Sequence, residues 1–81
     1  MVNIRKIDLN LLHALLILLE ERNVSRSAVR LNLTQPTVSN MLGRLRTLLN
    51  DPLSTRTRHG LVPTSRTLAL EPELRKIFSS V

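Results

Sequence analysis

With 81 residues, 42% of them hydrophobic, the chain has room for one small domain and one core, and its lack of cysteine excludes disulfide staples, thiolate metal sites and cysteine nucleophiles. Twelve Lys and Arg against six Asp and Glu leave a formal charge of +6, which favours a polyanionic partner, either nucleic acid or an anionic membrane surface. Phe78 is the only aromatic residue, which argues against RNA or single-strand binding by base stacking.

The first predicted element is a helix capped by Asp8 and running to about Arg22, with Leu12, Leu15, Leu16 and Leu19 repeating at i, i+3, i+4 and i+7. Its apolar stretch, Leu9 to Leu19, is interrupted by Asn10 and His13 and falls short of the ~20 residues that span a bilayer. Glu20-Glu21-Arg22 follows in place of a small-residue cleavage site, so the segment is not a signal peptide and a soluble cytoplasmic protein is expected. Leu11, Ala14 and Leu18 lie outside the main stripe. An apolar arc that wide predicts packing on the chain's own core and also on a second chain.

Ser25 is the expected cap of a short second helix carrying Ala28 and Leu31, and Asn32-Leu33 connects it to a third helix capped by Thr34 with Pro36 in its first turn. Two short helices joined by about three residues form a helix-turn-helix, and the second of them presents its N-terminal end to the major groove. Gln35, Thr37, Ser39 and Asn40 put hydrogen-bonding side chains at that end, while Val38, Leu42, Leu45, Leu48 and Leu49 form the buried stripe. Gly43 within the helix points to close packing, since it costs ~1 kcal/mol relative to Ala.

Asn50-Asp51-Pro52 ends the third helix, and Leu53 to Pro63 reads as two short strands around a turn at His59-Gly60, a wing. No acidic residue occurs between Pro52 and Leu70, whereas Arg56, Arg58 and Arg66 do, so phosphate contacts should concentrate there. Thr64 begins a last helix with Leu70, Leu74, Ile77, Phe78 and Val81 on one stripe, interrupted by Pro72, where the helix either kinks or restarts. The stripe of this helix and the spare face of the first predict a homodimer.

In this order and spacing, Val24-Ser25-Arg26-Ser27-Ala28, Leu33-Thr34-Gln35-Pro36-Thr37-Val38-Ser39, Asp51-Pro52-Leu53 and Arg56-Thr57-Arg58-His59-Gly60-Leu61-Val62-Pro63-Thr64 resemble the N-terminal DNA-binding domain of LysR-type transcriptional regulators, from Ile7 to the C-terminus. The resemblance implies a bacterial, dimeric, sequence-specific regulator with antiparallel pairing of linker helices. It departs at Ser54, where the family usually has an aromatic residue, which implies weaker support for the wing. It departs also at Asn40, which stands where Arg is common and implies preference for adenine over guanine. Family members continue into an effector-binding domain, absent from this chain.

The expected fold is mostly α. Residues 1–64 form a winged helix-turn-helix, with the helix-turn-helix at about 24–43 and the wing at about 53–63, and residues 65–81 form a linker and dimerisation helix. Thr34, Gln35, Pro36, Thr37, Ser39 and Asn40 are the candidate base-reading residues, and Ser25, Arg26, Arg44, Arg56, Arg58 and His59 the candidate backbone contacts on double-stranded DNA with an inverted-repeat operator. Leu11, Leu18, Leu70, Leu74, Ile77, Phe78 and Val81 are the candidate dimer contacts. No nucleophile turn, phosphate-cradling glycine loop or paired acid site is present, so no enzyme activity and no cofactor are expected. His13 and His59 fall in different elements, so no metal site is expected either. The alternative reading is a dimerisation module that inactivates full-length relatives by forming heterodimers.

Overall fold

Five short polar side chains set where the helices begin, each accepting a hydrogen bond from a backbone N–H of the first turn. The pairs are Asn3 with Arg5, Asp8 with Asn10, Asn23 with Arg26, Thr34 with Thr37 and Thr64 with Thr67, at 2.7–3.3 Å. In the computed structural model, which describes residues 3–79, they open a 3-10 turn at Ile4–Lys6 and helices α1 (Leu9–Glu21), α2 (Val24–Leu31), α3 (Gln35–Leu49) and α4 (Ser65–Ser79). Strands β1 (Ser54–Thr57) and β2 (Gly60–Pro63) lie between α3 and α4. The cap of α2 is Asn23, not Ser25, because only Asn23 sits in extended backbone just ahead of the first turn. Arg22, Asn32 and Asn50 close α1, α2 and α3 in the left-handed region, at φ 55°, 57° and 49°. Asn adopts that region readily, and a longer side chain such as Arg22 costs about 1–2 kcal/mol there.

The core is built around α1, which packs against α2, α3 and α4 together. That arrangement explains the wide apolar arc and corrects the expectation attached to it. Leu11 and Leu18 are 2% and 4% exposed and Leu74 is 0% exposed, all within the chain's own core, so none of the three is available to a second chain. Leu70, Ile77 and Phe78 are partly buried against the same core, and Val81 lies outside the described residues. On α3, Val38, Leu42, Leu45 and Leu49 are buried as expected, but Leu48 is 44% exposed because it lies about 100° around the helix from Leu49, off that stripe. Gly43 has no close-packing role either, since a Cβ there would meet only the Arg46 guanidinium, at 3.7 Å. Helix α4 continues through Pro72 without restarting. Pro72 is exposed, as is Leu68, whose carbonyl it leaves without a helical donor.

The strands pair antiparallel with Thr57 opposite Gly60, so the two-residue turn is Arg58-His59, one position earlier than the sequence suggests. Gly60, at φ 112°, places its backbone where a Cβ would stand 2.7 Å from the Arg22 carbonyl oxygen. That close approach lets the Leu61 N–H donate to the same oxygen at 3.0 Å, tying the wing to the end of α1. At the other end of the wing, the Thr64 N–H donates to the Leu53 carbonyl at 2.9 Å. Leu53 itself is held at φ 69° and is 1% exposed. Left-handed backbone costs a leucine about 1–2 kcal/mol, and burying its side chain returns about 1.5–3 kcal/mol, so burial holds the strained backbone in place.

Asp51 organises this junction. Its Oδ2 accepts from the Leu53 N–H at 2.9 Å and from the Thr64 hydroxyl at 2.8 Å, with the Thr67 hydroxyl at 3.5 Å. The Thr64 hydroxyl and the Leu53 N–H hold its carboxyl below the ordinary aspartate range. One side chain thus links the end of α3, the start of the wing and the first turn of α4. No helix among the described residues is long and apolar enough to cross a membrane.

Candidate nucleic-acid interface

The first two turns of α3 separate a buried face from an open one. Val38 and Leu42 sit in the core, whereas Thr34, Gln35, Pro36, Thr37, Ser39 and Asn40 are all exposed. Three of these polar side chains are already engaged locally. The Thr34 and Thr37 hydroxyls bond each other at 2.8 Å, and the Gln35 amide donates from Nε2 to the Ser25 hydroxyl on α2 at 2.9 Å.

Beside that face, a cleft of about 300 Å³ opens between the starts of α2 and α3 and the wing. Four residues singled out from the sequence, Ser25, Gln35, Arg56 and Arg58, meet on its walls, joined by Arg22 from the end of α1. A second cleft of about 180 Å³ lies under β1, where Ser39 and Arg46 from α3 face Ser54 and Arg56. Arg22 and Arg46 were missed by sequence reasoning. Arg46 carries a legible signal, seven positions after Ser39 and so two turns along the same helical face. Arg22 carries none, because its place depends on the left-handed turn that ends α1. His59 sits exposed at the wing turn, outside both clefts, and Arg44 lines a separate shallow surface with Thr47 and Leu48.

A family model described as the bacterial regulatory helix-turn-helix protein, lysR family, matches residues 9–67. The chain belongs to the LysR family. Nodulation protein D 1 of Rhizobium leguminosarum bv. phaseoli is 49% identical to it over 70 residues, which are 86% of this chain and 22% of that relative. Among solved structures, a probable transcriptional regulator from Pseudomonas aeruginosa superposes with a TM-score of 0.89 at 34% identity, covering 95% of this chain and 26% of that one. The DNA-binding domain of CbnR, solved in complex with DNA, superposes with a TM-score of 0.82 at 23% identity, covering 91% of this chain and 85% of that one. This chain spans only about a fifth of the length of the curated relatives it matches.

In this LysR-family chain the acidic residues are not spread evenly. Glu20 and Glu21 at the end of α1 are bound by Arg30 at 2.8 and 3.0 Å, Glu20 also by Arg75, and Glu21 by Arg26 at 3.8 Å. Glu71 pairs with Arg75 at 2.7 Å and Glu73 with Arg5 at 3.7 Å. The hydrogen bond from Arg30, with Arg75 adding to it, lowers the Glu20 carboxyl below its ordinary range. These carboxylates pair with Arg5 of the 3-10 turn, Arg26 and Arg30 of α2 and Arg75 of α4. Among the described residues, Arg22, Arg44, Arg46, Arg56 and Arg58 have no carboxylate within ion-pair distance. Lys6, Arg66 and Lys76 likewise make no ion pair, but five of these eight unpaired cations lie on α3, the wing and the adjoining end of α1. Arg26, expected at a DNA backbone, faces Glu21 instead of the clefts. Among the described residues no group of three or more His, Cys, Asp or Glu is placed to hold a metal ion.

Proposed function

We propose that this chain is the DNA-binding part of a cytoplasmic transcription regulator and that it reads duplex DNA sequence-specifically as a homodimer. The observation that carries the reading is the unpaired arginines of α3 and the wing flanking the exposed first turns of α3. Gln35, Thr37, Ser39 and Asn40 read base edges in the major groove, with Thr34 and Pro36 setting the helix start against the bases. Arg56, Arg58 and His59, with Ser25, Arg44 and Arg46, hold phosphates and fix register.

Residues 1–64 act as the reading unit and 65–81 as the linker. The partly buried Leu70, Ile77 and Phe78 on α4 supply the apolar strip for a second copy. A shallow apolar groove beside Ile4, Leu49, Ala69 and Leu70 adjoins that strip. Dimerisation sets the spacing of two half-sites.

The test is selection of duplexes from a random-sequence pool at near-physiological salt, with Gln35→Ala run in parallel. An inverted repeat, blurred at one position per half-site in the variant, is expected. Recovery of no motif, with binding that disappears as salt rises, would leave only electrostatic attraction and favour a module that pairs with full-length relatives and blocks them.

A further inference from the structure

Ser25 stands in the first turn of α2, yet its hydroxyl does not cap that helix, because the Asn23 carboxamide oxygen already accepts from the Arg26 N–H at 2.8 Å. Among the described residues the Ser25 hydroxyl has one hydrogen-bond partner, the Gln35 Nε2 at 2.9 Å, across the turn between the two helices. Both side chains are exposed and both line the cleft that Arg56 and Arg58 share. An exposed glutamine gains little stability from such a bond, and it loses about 1.5–2 kcal/mol of rotamer freedom when its long side chain is fixed. The bond is therefore better understood through what it leaves free.

We propose that Ser25 is a positioning residue that orients Gln35 to read adenine. A glutamine amide has two N–H donors and one carbonyl acceptor. Giving one N–H to Ser25 leaves the other beside Oε1, and that donor–acceptor pair matches N7 and N6–H of adenine, whereas guanine offers two acceptors. The Ser25 oxygen, having accepted from Gln35, keeps its own proton. It can give that proton to a phosphate oxygen in the cleft, where Arg56 and Arg58 supply the compensating charge. A phosphate seated there strengthens the bond to Gln35 by polarising the hydroxyl, so the contact that sets register also sets the base-reading side chain. Gln35 then meets the base with its rotamer already chosen, which removes an ordering cost at the moment of binding.

This inference rests on the DNA-reading function proposed above, and the experiment separates the two. The 81-residue chain and its Ser25→Ala, Ser25→Thr, Gln35→Ala and Ser25→Ala/Gln35→Ala variants are each put through the random-pool selection, with thermal melts as a folding control. The position blurred by Gln35→Ala is expected to be an adenine. Ser25→Ala should lower the preference for adenine over guanine at that same position by about tenfold, within the range a bidentate contact supplies, and leave the other positions sharp. Ser25→Thr, which keeps the hydroxyl, should restore the preference, and the double variant should lose no base preference at that position beyond what Gln35→Ala alone loses. If Gln35→Ala blurs a position that Ser25→Ala leaves sharp, or if Ser25→Ala weakens every sequence equally, the positioning role is overturned and DNA reading by Gln35 stands. If Gln35→Ala blurs nothing, both fall together.

Discussion

The two glycines should respond to alanine with opposite signs. At Gly60 the backbone lies at φ 112°, far from any region that a side chain favours, and holding alanine there costs about 1–3 kcal/mol. The added Cβ would also stand 2.7 Å from the Arg22 carbonyl oxygen, and because that obstacle is backbone the wing itself has to move. Movement stretches the 3.0 Å bond from the Leu61 N–H to the same oxygen, adding about 1 kcal/mol. The expected loss is about 2–4 kcal/mol, which in a domain of this size lowers Tm by about 8–32 °C. Gly43 is the control. Its Cβ would meet only the end of the flexible Arg46 side chain at 3.7 Å, so Gly43→Ala should gain about 1 kcal/mol from helix propensity alone. Thermal and urea unfolding followed by far-ultraviolet circular dichroism measures both. A Gly60→Ala chain within about 0.5 kcal/mol of the parent would refute the claim that the wing is clamped against α1.

Asn23→Ala should destabilise by about 1 kcal/mol and Ser25→Ala by nothing measurable, since only the former caps α2; equal losses in urea melts would mean that both side chains cap. Asp51 gives a pH signature. Its folded carboxyl titrates below the unfolded value, so its stabilisation is complete above the ordinary aspartate pKa of about 3.9 and disappears as pH falls through the lower folded value. Asp51→Asn should flatten that part of the acid limb, and an unchanged profile in urea melts from neutral to strongly acid pH would count against it. Arg58→Ala should weaken cognate and random duplexes alike and reduce the salt slope by about 1, whereas Arg75→Ala, already paired with Glu20 and Glu71, should leave the slope unchanged. Fluorescence anisotropy titrations across a salt series read both.

Local physical chemistry was strong enough to be read directly along the chain in several places. Asp8, Thr34 and Thr64 begin helices because a short polar side chain beside free N–H groups has few better partners, whatever the tertiary context. The period of Val38, Leu42, Leu45 and Leu49 fixes the buried face of α3, and that leaves Gln35, Thr37, Ser39 and Asn40 outside by geometry alone. The alternating, acid-free stretch after Pro52 likewise marks a basic hairpin.

Other outcomes depended on which elements meet. Leu11, Leu18 and Leu74 looked like spare interface because an apolar arc records how much surface is buried and not what buries it; the contact of α1 with α4 in one chain decided that. Gly60 needs to be glycine, and Arg22 reaches the cleft, because α1 ends against the wing across a gap of about forty residues in sequence. Arg26 and Arg30 are indistinguishable from Arg56 and Arg58 by residue type, and only the placement of Glu20 and Glu21 beside the first pair withdraws them from the positive face. Residue type and spacing determined the helices, the hairpin and the exposed polar face of α3. Through-space proximity, which a one-dimensional pattern does not contain, decided which charges remain unpaired and which apolar surface is already covered.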